Sequence, residues 1–125
     1  MATFVLVHGA WWGAWCWRRV ARLLTQSGHE VFTPALTGVG ERSHLLTPDI
    51  NLDTHILDVV NVMKWQELNK VVLVGHSYAG MVISGVAEQL EKAILFGDAP
   101  VFVEVGEAGI AVDHAMRREL AVQCS

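Results

Sequence analysis

With 125 residues, 52% of them hydrophobic, the chain has room for one domain built on a single core. A formal net charge of −4, with no cluster among its nine Lys and Arg residues, gives no footing to a nucleic-acid or anionic-membrane partner. No apolar run is long enough to span a bilayer and no signal-like start precedes one, so a cytoplasmic protein is expected.

In chain order, Thr3-Phe4-Val5-Leu6-Val7 reads as a short strand of the all-apolar kind found in parallel sheets buried on both faces. It stops at His8-Gly9. The tryptophan-rich loop Ala10-Trp11-Trp12-Gly13-Ala14-Trp15 then leads to a helix expected over residues 16–27. Trp17, Val20, Leu23 and Leu24 form one face of it, Arg18, Arg19 and Arg22 the other, and Gly28 ends it. A second strand begins at Glu30-Val31-Phe32-Thr33, before Pro34.

Residues 35–53 turn polar and are punctuated by Gly38, Gly40 and Pro48, which reads as a long functional loop or partial lid. Gly38-Val39-Gly40-Glu41-Arg42-Ser43 imitates a dinucleotide fingerprint. It lacks the third glycine and opens no obvious helix, so no nucleotide or other organic cofactor is expected. Asp53 is expected to cap a helix reaching about Gln66, with Ile56, Val59, Val60 and Met63 as its buried stripe. His44 and His55, in or beside the loop, read as surface residues within reach of a substrate.

The next stretch carries the chemistry. Val71-Val72-Leu73-Val74 is a buried strand that runs into Gly75-His76-Ser77-Tyr78-Ala79-Gly80 and then a helix from Met81 to Leu90. Ser77 thus falls on a tight strand-to-helix turn that exposes its hydroxyl beside the first helical N–H groups. This resembles the nucleophile elbow of the α/β-hydrolases, with alanine at its fifth position. Gly75, Ala79 and Gly80 are small enough for the close packing the turn requires. A fourth strand is expected at residues 93–97, ending at Asp98. Residues 101–109 show no clear period, and a last helix is expected over residues 110–123. Such alternation implies an α/β domain: a short, mostly parallel sheet of about four strands with helices on both faces.

Val5-Leu6-Val7-His8-Gly9-Ala10-Trp11-Trp12-Gly13-Ala14-Trp15 together with Gly75-His76-Ser77-Tyr78 resembles the small, capless α/β-hydrolases related to plant methylesterases and hydroxynitrile lyases, over residues 2 to about 98. The resemblance implies a serine esterase for small carboxylic esters. Ser77 would attack the ester carbonyl, and the backbone N–H groups of Ala10 and Tyr78 would hold the oxyanion. Gly9, Trp11 and Trp12 would border the substrate. Lyase chemistry, which in that family goes with a hydroxyl residue directly after the histidine, is disfavoured by Gly9.

Family members are longer and place the triad acid and histidine after later strands, so the chain reads as a truncated α/β-hydrolase fold. Two explanations follow. In the first, a reduced triad uses the one histidine after Ser77, His114, with Asp98 between them as the acid. In the second, the chain is a catalytically weak relative with a binding role. An open edge on the fourth strand further predicts a homodimer, formed through that edge or through the last helix. Cys16 and Cys124 lack the spacing of a redox or zinc motif, and the six histidines form no helical pair, so free thiols and no metal are expected.

Overall fold

In a computed structural model of the protein, the structure describes residues 1–68, 71–93, 101–106 and 109–111, the last two segments and residues 90–93 by backbone alone. Five strands form one sheet: β1 (Thr3–Val7), β2 (Glu30–Phe32), β3 (Val71–His76), β4 (Val101–Gly106) and β5 (Gly109–Ala111), in the order β2-β1-β3-β4-β5. The first four are parallel and β5 runs antiparallel to β4. Among the described residues three α-helices accompany them: α1 (Arg18–Gln26), α2 (Leu52–Trp65) and α3 (Ala79–Ala93).

The all-apolar strands are explained by their place in the middle. Side chains alternate along a strand, so Phe4 and Leu6 of β1 point to one face, where they pack with Val72, Val74 and, from the first helical segment, Trp17 and Leu24. Val5 and Val7 point to the other face. There they join Val71 and Leu73 of β3, Ile56, Val59 and Met63 of α2, and Val82, Ile83 and Val86 of α3. One helix therefore covers one face and two cover the other, the two-sided arrangement expected of a parallel sheet. Gly85 lets α2 and α3 approach, since a Cβ there would overlap the end of the Ile56 side chain.

Several boundaries differ from the expectation. A 3-10 turn, Ala14–Trp17, precedes α1 and occupies the expected first helical turn. The N-cap of α2 is Asn51 rather than Asp53: the Asn51 side chain accepts from the Thr54 N–H at 3.2 Å, and the Thr54 hydroxyl accepts from the Asn51 N–H at 3.2 Å. This reciprocal capping box satisfies two otherwise orphaned donors and leaves Asp53 in the first turn, where its charge suits the helix dipole.

Among the described residues, the new strand that pairs with β3 is at Val101–Gly106. Ala93 ends α3, residues 94–97 lie outside the described residues, and β4 begins at Val101. Ile110 and Ala111, expected to open the last helix, belong to β5, and the remainder of that helix lies outside the described residues. The outer edge of the fourth strand, expected to be open, is occupied by β5.

Candidate active site

Parallel pairing of β1 with β3 aligns Val7 with Gly75, so both strands release their chains at the same end of the sheet. In open α/β sheets, ligands bind beyond the carboxyl ends of the strands. Here those ends carry the His8-Gly9-Ala10 loop and the Ser77 turn.

Ser77 is exposed and has φ 56°, the left-handed conformation that an L residue rarely adopts. The turn is closed by the Gly80 N–H donating to the Ser77 carbonyl and the Met81 N–H to the Tyr78 carbonyl, both at 2.9 Å. Gly75 is required beneath it, because a Cβ at that position would stand 2.7 Å from the Ala79 carbonyl oxygen. Ala79, at the fifth position of the motif, is fully buried and fits as alanine.

The second loop lies against the first. A Cβ on Gly9 would stand 3.0 Å from the His76 carbonyl oxygen and 3.3 Å from the Ser77 Cβ, so the backbone leading to Ala10 runs directly beside the serine. Ala10 is exposed and Trp11 after it has φ 67°. Two non-glycine residues in left-handed backbone on adjoining loops mark a place where the fold holds strain.

His8 anchors this loop from below. Its ring is fully buried; Nδ1 lies 2.9 Å from the Gly9 carbonyl and Nε2 accepts from the Leu36 N–H at 3.1 Å. A carbonyl only accepts, so the proton sits on Nδ1 and the ring is neutral. Burial, the largest influence, lowers the His8 pKa from its ordinary value.

Residues 35–46 are fastened rather than free to act as a lid. Glu41 accepts from the Ala14 N–H at 2.7 Å, and Arg42 donates to the Ala35 carbonyl at 3.1 Å. Gly40, at φ 55°, lies so close to the tryptophan loop that a Cβ would stand 2.6 Å from the Gly13 Cα. Thr37 donates to the Asp58 carboxylate from its N–H and from its hydroxyl, each at 2.7 Å, and Arg42 pairs with Asp58 at 3.6 Å.

His55 is 8% exposed and is no surface residue. It sits between Tyr78, whose hydroxyl is 2.8 Å from Nδ1, and the Thr37 carbonyl, 2.9 Å from Nε2. Burial raises the Tyr78 pKa. The sequence did carry a signal for this residue, since His55, Val59 and Met63 are spaced by one helical turn. A polar side chain on the buried stripe needs partners.

The structure brings Gly9, Ala10, Ser77 and Tyr78 together. Asp98 and His114 lie outside the described residues. Trp11 is 94% exposed, whereas Trp12 and Trp15 pack with ring centroids 5.3 Å apart. They border a cleft of about 450 Å³ with Cys16, Arg18, Arg19 and Arg22, and Ser77 is not among its lining residues. The Cys16 thiol is free, and burial, with the Glu41 carboxylate adding to it, pushes its pKa up to about 11. Among the described residues no group of three His, Cys, Asp or Glu side chains could hold a metal ion.

Comparison with known proteins agrees with this geometry. The chain is 54% identical over 94 residues to a carbendazim hydrolyzing esterase of Nocardioides sp. (strain SG-4G), an alignment covering 75% of this chain and 39% of that protein. It is 39% identical over 82 residues to methylesterase 8 of Arabidopsis thaliana, covering 65% of this chain and 30% of that one. Among solved structures, an extracellular alpha/beta-hydrolase from a Paenibacillus species superposes with a TM-score of 0.67 at 34% identity, covering 73% of this chain and 36% of the other. Polyneuridine aldehyde esterase does so with a TM-score of 0.66 at 32% identity, covering 74% and 36%. The chain thus spans less than two-fifths of the length of these relatives. Strand order, the strained serine turn and a match to the Alpha/beta hydrolase family over residues 4–122 lead to one assignment: the chain belongs to the alpha/beta hydrolase family.

Proposed function

We propose that the protein is a serine hydrolase that cleaves small carboxylic esters through an acyl-enzyme on Ser77. The observation that carries this reading is the exposed Ser77 in left-handed backbone at the end of β3, with the Gly9 backbone pressed against its Cβ. The Ser77 hydroxyl oxygen attacks the ester carbonyl carbon, and its proton passes to a base. The carbonyl oxygen becomes an oxyanion held by the Ala10 and Tyr78 N–H groups, worth about 10²–10³ in rate per donor in such sites. The tetrahedral centre collapses with loss of the alcohol, which takes the proton. Water, deprotonated by the same base, then releases the acid.

The base is assigned to His114, with Asp98 to orient it. Support comes from the other histidines. His8 and His55 have both ring nitrogens engaged elsewhere, the His29 Nδ1 accepts from the Ala2 N–H at 3.0 Å, and His44 is exposed on the fastened loop, which leaves His76, next to the nucleophile in sequence, and His114. None of the described residues hydrogen-bonds the Ser77 hydroxyl. Gly9 supports hydrolysis over lyase chemistry, because it puts no hydroxyl directly after His8.

The test is covalent labelling by a fluorophosphonate, followed by intact mass, in the wild type, Ser77→Ala and His114→Ala. The expected result is one adduct, absent in Ser77→Ala and slowed at least about 100-fold in His114→Ala. Labelling indifferent to His114 would move the base elsewhere. A folded wild type that takes no label would overturn the esterase reading and leave a binding role.

A further inference from the structure

His55 takes no part in the acyl transfer proposed above, yet it is the buried polar centre of a chain of hydrogen bonds that ends beside the nucleophile. The Thr37 carbonyl only accepts, so the His55 Nε2, at 2.9 Å, carries the proton. In the neutral ring Nδ1 is then an acceptor, and the Tyr78 hydroxyl donates to it at 2.8 Å. Thr37 is held from its far side by two bonds to Asp58, and Asp58 by Arg42, which also bonds the Ala35 carbonyl. The Tyr78 and His55 rings meet edge to face, with centroids 5.7 Å apart, which fixes the tilt of the phenol as well as its tip.

We propose that His55 is a positioning residue for the oxyanion site: by donating to Thr37 and accepting from Tyr78 it locks the Tyr78 side chain, and so aims the Tyr78 amide at the developing oxyanion. This rests on the esterase reading, since it gives the Tyr78 N–H a catalytic duty. The physical warrant is that Tyr78 follows directly on Ser77, whose left-handed backbone (φ 56°) holds strain, so a clamp on the Tyr78 side chain steadies the peptide unit that carries its N–H. Preorganised donors lose their effect when misplaced by fractions of an ångström.

The experiment uses the full chain and reads the maximal labelling rate and the half-saturating concentration of a fluorophosphonate separately. Tyr78→Phe removes a single oxygen and His55→Leu removes both bonds. His55→Asn keeps an acceptor where Nδ1 stands. The expected result is a maximal rate about five- to tenfold lower in Tyr78→Phe and in His55→Leu at unchanged half-saturation, no further loss in the double variant, and recovery to within about twofold in His55→Asn. A merely structural role would lower stability without this pattern. Should His55→Leu not fold, Tyr78→Phe and His55→Asn carry the test. A Tyr78→Phe protein that labels at the wild-type rate, or His55→Asn slowed as much as His55→Leu, overturns the proposal and leaves the nucleophile intact. A wild type without labelling overturns the esterase reading and this proposal with it.

Discussion

Ser77 is held at φ 56°, a conformation that costs an L residue roughly 1–2 kcal/mol. Ser77→Gly removes that cost while adding chain entropy to the unfolded state, so it should stabilise the protein by about 0.5–1 kcal/mol in urea denaturation while abolishing labelling. Gly28 and Gly40 make a matched pair. Both have positive φ, but nothing lies within 4 Å of a Cβ on Gly28, whereas one on Gly40 would meet the Gly13 Cα and the Trp12 carbonyl. Gly28→Ala should cost about 1 kcal/mol and Gly40→Ala at least about 2, again read from denaturation midpoints.

His8 supplies a pH dependence. Its folded pKa lies below the unfolded value of 6.5, so the unfolded chain binds more protons once the pH falls through that value. The contribution is absent above about pH 7.5 and becomes destabilising as pH drops through about 6.5 towards the folded pKa. The stability of the wild type should fall over that window more steeply than that of His8→Gln, as measured by urea midpoints at about pH 7.5 and 5.5. At this scale Ser77 and Gly75 were legible because the elbow is a local pattern. The Tyr78–His55 bond was not, because its partners are 23 residues apart and meet only once α2 docks on the sheet.

Among the elements, α2 shows how a helix start is chosen. Asn51 has an extended backbone (φ −142°, ψ −172°) and reaches the third N–H, whereas Asp53 already lies inside the helix. Asn51→Ala should therefore cost about 1 kcal/mol, and Asp53→Asn only a few tenths, in thermal or urea melts. β1 and β3 were legible as unbroken apolar runs buried on both faces, and α1 and α2 by an apolar stripe at helical spacing. Periodicity gave no strand at residues 101–106, where Glu104 and Gly106 interrupt the apolar run and the pairing of Val72 with Val101 makes β4; the strand expected at residues 94–97 lies outside the described residues. The segment 35–46 misled for a related reason: its glycines and charges look like those of a mobile lid, but Gly40, Glu41 and Arg42 are the parts that fasten it to Gly13, Ala14 and Asp58.

For the molecule as a whole, the alternation of strands and helices fixed the class correctly, and handedness and short connections then left few arrangements. The antiparallel β5 was not legible, since three residues flanked by glycine carry too little pattern. Among the described residues both outer strands, β2 and β5, are three residues long, and short edges limit pairing between molecules. Of the two routes to a homodimer, this favours the last predicted helix, which lies outside the described residues. Size-exclusion chromatography with light scattering is expected to show a dimer that dissociates on removal of residues 112–125, and a monomeric wild type would refute this.

The pairing of Thr3 with Val71 also carries a consequence for the making of the protein. The central neighbour of β1 is made about 70 residues after it, roughly 4–14 s later at usual elongation rates. During that interval the partners already made are β2, Trp17 and Leu24 for Phe4 and Leu6, and Leu36 followed by Ile56, Val59 and Met63 for Val5 and Val7. The face of the sheet covered by α1 is thus made before the face that waits for α2 and α3, and the central strand pair closes between them.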